Sequence, residues 1–167
     1  MSDIFEDVVK SWLQTRGYFL MNNIKYGHNQ EIDILAIKPN ANKVTHIEVS
    51  CSSNPQNIYG GDRKTYGNRL PPSENQVIES AIKYIEKKFL NEKVAKKIKE
   101  LTNNDVEIER WFIHAKSKDE RQKDIFKERG IKTLHIKEVI GEIESSELRT
   151  FIGDKRLKQL FDIIRGP

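Results

Sequence analysis

The stretch Glu31-Ile32-Asp33-Ile34-Leu35-Ala36-Ile37, followed after a polar turn by Val44-Thr45-His46-Ile47-Glu48-Val49-Ser50, decides how the chain is read. Both runs are rich in β-branched and apolar residues, and Lys38 to Lys43 between them reads as a turn, so the pair predicts two short strands joined as a hairpin. Side chains alternate faces along a strand. Ile32, Ile34 and Ala36 therefore share one face of the first, and His46, Glu48 and Ser50 share one face of the second. Asp33 sits near the start of its strand and Glu48 near the end of its own, so antiparallel pairing puts both at one end of the hairpin. Two carboxylates crowded on an apolar hairpin are costly unless something positive joins them. A divalent cation is the simplest such partner, and oxygen donors suit Mg²⁺ or Mn²⁺.

Composition sets the frame. The chain has 167 residues, 37% hydrophobic and 32% charged, with a formal net charge of +4. This length can bury a sizeable core, and the charge permits nucleic-acid binding without demanding it. No apolar run reaches membrane-spanning length, and the first ten residues hold three acids and no apolar block, so neither a membrane partner nor a signal peptide is expected. The lone cysteine, Cys51, excludes an internal disulfide and a Cys-rich zinc site, and a reducing, cytoplasmic setting is the expectation.

Outward from the hairpin, Phe5, Val8, Val9, Trp12 and Leu13 have the spacing of a core-facing helix from about residue 5 to 15, with Asp3 as N-cap and Gly17 as stop. Glu6 lies at the edge of that stripe. It either completes an Asp-x-x-Glu capping box or aims an acid at the core edge. Tyr18 to Tyr26 reads as a first strand with a bend at Asn22-Asn23, giving an antiparallel meander of three strands. Residues 51 to 72 carry Gly60-Gly61, Gly67-Asn68 and Pro71-Pro72 without periodicity and read as a long loop. Tyr59, Arg63, Lys64, Tyr66 and Arg69 on it mix cations with aromatics, which suits contact with a nucleic-acid backbone and bases. Ser73 and Gln76 form a capping box opening a helix whose stripe is Ile78, Ala81, Ile82, Ile85 and Phe89. Helix continues or restarts through Val94, Ile98 and Leu101, with Lys93, Lys96, Lys97 and Lys99 as a solvated face that can also meet phosphates. A strand from about 106 to 115, a helix from 118 to 129 and a strand from 131 to 136 suggest a parallel crossover. Leu157, Leu160, Phe161 and Ile164 mark an amphipathic tail. The fold class is α/β, a mixed sheet flanked by helices.

An acid on the first helix, Asp opening the second strand and Glu-x-Ser closing the third resemble the PD-(D/E)XK nuclease superfamily. The resemblance implies a restriction-endonuclease-like αβββαβ core over about 3–136, inside one nuclease-like domain spanning 1–167 with C-terminal helices from about 137. It implies a metal-dependent nuclease hydrolysing phosphodiester bonds, most readily in DNA, with RNA left open. Catalytic positions map to Glu6, Asp33, Glu48 and Ser50, and metal ligands to Asp33, Glu48 and the carbonyl of Val49, with Mg²⁺ or Mn²⁺ as cofactor. Glu31, two residues before Asp33, is the reserve acid. Cutting two strands with two sites is compatible with a homodimer.

Ser50 departs from the family pattern, which has lysine there. Serine can hydrogen-bond water but brings no positive charge. Either Ser50 suffices, or a lysine reaches in from Lys38, Lys64 or Lys83, with Lys64 preferred, or catalysis is lost and a nucleic-acid-binding or scaffold subunit remains. His46 reads as a structural histidine, as do His114 and His135. His28, in the turn before Glu31, is nearer the site end and can assist, and Cys51 reads as a small buried residue.

Overall fold

The computed structural model describes residues 4–51, 73–102, 106–115 and 121–145. In chain order the elements are α1 (Ile4–Thr15), β1 (Phe19–Gly27), β2 (Gln30–Ile37), β3 (Lys43–Ser50), α2 (Glu74–Lys88), α3 (Glu92–Thr102), β4 (Glu107–His114), α4 (Arg121–Glu128), β5 (Ile131–His135) and α5 (Ile136–Ser145). The strands form one sheet in the order β1-β2-β3-β4-β5. The first three pair antiparallel as a meander, while β3–β4 and β4–β5 are parallel. The result is a five-stranded mixed sheet with helices on both faces, as the hydrophobic patterning anticipates.

Alternation sorts the core onto those two faces. Ile34, Ala36, Ile47, Trp111 and Ile113 pack with Val8, Val9, Trp12 and Leu13 of α1 and with Val139, Ile140 and Ile143 of α5. The two helices are tied together by the Trp12 indole N–H, which donates to Glu142 at 2.8 Å. On the opposite face, Phe112 packs with Ala81, Ile85 and Phe126, placing α2 and α4 there. Val94 and Ile98 of α3 cover Ile32, Leu35 and Val44 on that same face. Ile32 thus joins the cluster of Leu35 and not that of Ile34. The register of β1 with β2 shifts between Lys25 and Gly27, while earlier, between the pairs Asn22↔Ile34 and Ile24↔Ile32, Asn23 takes a left-handed φ of 53°. This is the bend that Asn22-Asn23 signals in the sequence.

The helix ends follow their caps. Ser73 and Gln76 make the reciprocal capping box of α2. The helical run breaks after Phe89 and restarts where Asn91 Oδ1 accepts from the Lys93 backbone N–H at 2.9 Å. Gly17 and Gly130, at φ 78° and 70°, end α1 and α4. The C-terminal helix begins directly at Ile136, after β5. Asp3, the loop residues Tyr59, Arg63, Lys64, Tyr66 and Arg69, and the stripe from Leu157 to Ile164 lie outside the described residues.

Candidate functional site

The β2–β3 register runs Ile37↔Val44 to Ile34↔Ile47, so the next position brings Asp33 to Glu48. Asp33 Oδ2 accepts the backbone N–H of Val49 at 2.9 Å. This bond bridges the two strands where their regular pairing stops. Glu48 is fully buried near the end of the middle strand, a position an acid occupies only with partners. Two are present. His46 Nε2 lies 2.9 Å from Glu48 Oε1, two residues back on the same face. Lys88 Nζ lies 2.6 Å from Glu48 Oε2 and 3.7 Å from Asp33 Oδ1. The ammonium also donates to the carbonyl of Glu31 at 3.2 Å.

Lys88 is delivered by the last turn of α2, and that turn is anchored on several sides. Phe89, its C-cap, packs its ring 4.9 Å from that of His46. Arg110 Nε donates to the Phe89 carbonyl at 3.3 Å, and the Tyr26 hydroxyl donates to that of Lys87 at 3.4 Å. A cation at a helix C-terminus is also favoured by the partial negative charge of the exposed carbonyls.

Burial dominates the electrostatics. It pushes the Glu48 carboxyl up from 4.5 to about 7, against the pull of Lys88. It pushes Asp33 from 3.8 to about 6, helped by the neighbouring charge of Glu48. Each carboxyl bears on the ionisation of the other, so the two titrate as a pair. Lys88 moves upward because Glu48 and Asp33 outweigh its own desolvation, and it stays an ammonium. His46 is held down to about 3 by burial first and by Arg110 second, and is neutral. Its Nδ1 faces no hydrogen-bond partner, so the proton belongs on Nε2, which donates to Glu48.

Of the residues singled out in the sequence, Asp33, Glu48 and the Val49 backbone come together. Ser50 ends β3, exposed, in register with His114 of β4. Glu6 is half-buried on α1, a helix that packs on the opposite face of the sheet. Among the described residues no three His, Cys, Asp or Glu side chains gather as a metal-holding group, so Glu6 is not collected with the other two acids. Glu31 has an exposed side chain and contributes its carbonyl. Lys38 lies over the Tyr18 ring at 5.8 Å and Lys83 is exposed, so neither supplies the site's cation. Lys64 lies outside the described residues.

Sequence reasoning missed Lys88, although the signal was there. At about 100° per residue, Lys88 falls within about 20° of Ala81, inside the α2 stripe of Val77, Ala81 and Ile85. A lysine in the middle of an apolar stripe needs a buried partner, and Glu48 is that partner.

The donor set suits a hard divalent cation: two carboxylates on adjacent strands, with oxygens only. Glu48 Oε2 is buried against the Lys88 ammonium, 2.6 Å away, so an ion would meet this oxygen beside the lysine.

No family model matches the chain, and no curated protein sequence does. Its architecture is similar to the crystal structure of AF1548, a protein of unknown function. The TM-score is 0.53 at 17% identity, over 94% of this chain and 76% of that one. At this identity the likeness concerns the fold alone.

Proposed function

We propose that the protein is a metal-dependent nuclease of the PD-(D/E)XK kind, acting on DNA, in which Lys88 stands in for the lysine absent at position 50. The observation that carries the reading is the ammonium of Lys88 within 2.6 Å of Glu48 and 3.7 Å of Asp33. It supplies the two-acid, one-lysine chemistry from a helix instead of from β3.

Asp33 and Glu48 are the side chains that would hold Mg²⁺ or Mn²⁺, with the Val49 backbone beside them. Such an ion lowers the pKa of an attacking water and neutralises charge on the scissile phosphate. Lys88 remains protonated, so its part is to donate hydrogen bonds to a phosphate oxygen or to the attacking water. It is not a general base. His46 donates to Oε1 of Glu48 and so orients the carboxylate with Oε2 toward Lys88. Ser50 brings no charge and is not required.

The test is incubation of purified protein with supercoiled, linear and branched DNA in Mg²⁺ or Mn²⁺. Cleavage abolished by Asp33→Ala and by Lys88→Ala is the expected result. No cleavage, or cleavage indifferent to both changes, sinks the proposal. A second reading, a non-catalytic nucleic-acid-binding subunit on this fold, is favoured by the lack of a third ligating side chain among the described residues. It predicts DNA binding with no metal-dependent cleavage.

A further inference from the structure

On the same face of the sheet as the carboxylates, a cleft of about 320 Å³ is formed by β1 and α3 and lined by Lys25, Tyr26, Lys93, Lys96 and Lys97. Glu100 also lines it and pairs with Lys97 at 3.3 Å. Four ammonium groups thus share the cleft with one carboxylate. The placement is not adjustable. Val94 and Ile98 bury α3 against Ile32, Leu35 and Val44, which turns Lys93, Lys96 and Lys97 outward, three and four residues apart on one strip. Like charges at that spacing repel, and a bound polyanion relieves the repulsion while releasing its counterions.

Tyr26 connects the two places. Its side chain lines the lysine cleft, and its hydroxyl donates to the carbonyl of Lys87, next to the lysine that faces Glu48 and Asp33. Tyr26 thus stands between the lysine cleft and the last turn of α2, which carries Lys88. The aromatic ring beside the cations suits an unpaired or splayed base.

We propose that the β1–α3 cleft holds the phosphodiester backbone of the DNA that the Asp33–Glu48–Lys88 site acts on. The direction of the strand rests on the nuclease reading. Binding in the cleft does not need catalysis, so the two are separable by experiment.

The experiment is fluorescence anisotropy with a labelled DNA duplex in EDTA, where no cleavage occurs, over a series of salt concentrations. The variants are the triple change Lys93→Ala, Lys96→Ala and Lys97→Ala, its arginine counterpart, and Lys127→Ala on α4 as a charge control. All of these side chains are on the outside of their helices, and circular dichroism checks that the fold persists. The alanine triple is expected to lose affinity and to flatten the log–log salt slope by about 0.9 per phosphate contact removed, up to about 2.7 in all. The arginine triple is expected to bind as the native chain does, and Lys127→Ala to leave the slope unchanged. An alanine triple with native affinity and slope overturns the proposal, as does a native chain that binds no DNA or a Lys127→Ala chain equally weakened. A native chain that binds through these lysines but never cleaves with Mg²⁺ or Mn²⁺ upholds the cleft and removes the nuclease reading instead.

Discussion

Lys88 and Glu48 meet as an ion pair, Nζ to Oε2 at 2.6 Å, between the last turn of α2 and the end of β3. The carboxylate is fully buried and the lysine about one-fifth exposed, so the pair links the centre of the sheet to the solvent edge of the site. Removing one partner of a buried pair leaves the other charge uncompensated, which costs more than the pair itself contributes.

Lys88→Met tests this relationship. The thioether fills much the same space but leaves Asp33 and Glu48 with no cation. Near pH 8, where both acids of the native chain are ionised, thermal unfolding of the metal-free variant should show a loss of roughly 2–4 kcal/mol relative to it. Near pH 5 both acids hold protons and the loss should be smaller. The proposed DNA cleavage should vanish at either pH. Adding Ser50→Lys to Lys88→Met puts an ammonium on the face of Glu48, where PD-(D/E)XK nucleases carry a lysine, and partial return of the proposed cleavage is the expected outcome. An unaltered cleavage rate in Lys88→Met would contradict the role assigned to the lysine.

Stability should depend on pH through Glu48 with a determinate sign. The folded carboxyl is raised from 4.5 to about 7. Between those values the folded protein binds more protons than the unfolded chain, so stability falls as pH rises. The rise corresponds to roughly 3 kcal/mol. Asp33, raised to about 6, acts in the same sense. His46 opposes them: its pKa is lowered to about 3, so its contribution is present above 6.5 and is lost as pH falls toward 3. Glu48→Gln takes this carboxyl out of the titration, because glutamine does not ionise. Chemical denaturation of both proteins without metal should show the variant gaining on the native chain by about 3 kcal/mol between pH 4.5 and pH 7.5. A flat difference would mean that Glu48 ionises normally.

How much of this was legible before the structure follows from where each signal lies. Asp33 and Glu48 sit on neighbouring strands, and their meeting needs only alternation and a hairpin, both written locally. The capping box at Ser73 and Gln76 is equally local and forms as read. Lys88 is different. Its stripe position was readable, but its partner is across a helix–sheet interface, and no local rule names that partner. The family resemblance points instead to position 50, where this chain has serine. Glu6 shows the opposite failure. A helical acid before the meander fits the PD-(D/E)XK order of elements, yet α1 packs beneath Ile34 and Ile47, away from the face of Glu48. Order along the chain does not specify which face of the sheet a helix covers.

The bend at Asn23 should matter to the site although its side chain is exposed. A left-handed φ of 53° is tolerated by asparagine and disfavours a β-branched residue by roughly 1–2 kcal/mol. Asn23→Val should therefore destabilise by about that amount, and Asn23→Gly should be close to neutral. The strained residue lies between the pairs that flank Asp33. The valine variant should accordingly weaken Mn²⁺ binding as well, by calorimetry, while glycine should not. Equal stability of the two variants would mean that the bend relaxes without cost.

Metal binding should release protons, and the number released should change with pH. Glu48 and Asp33 hold protons up to about pH 7 and about pH 6, and a cation binds only their ionised forms. Titration of Mn²⁺ into the protein should thus give weak binding at pH 5 and progressively tighter binding through pH 8. At pH 6, calorimetry in two buffers of different ionisation enthalpy should register proton release, which fades by pH 8 as the acids are already ionised. Asp33→Asn should abolish both the binding and the release. His46→Gln should retain binding but weaken it by roughly 10-fold or more, because Oε1 of Glu48 loses the ring that orients it. Lys88→Met should bind Mn²⁺ more tightly at pH 8, since the ammonium 2.6 Å from Oε2 competes with the ion for the same oxygen. Tighter binding together with lost cleavage would show the one ammonium of Lys88 in two parts, competing with the ion for the carboxylate and acting on the phosphate. Binding that is independent of pH from 5 to 8 would show that the ion lodges somewhere other than on these two acids.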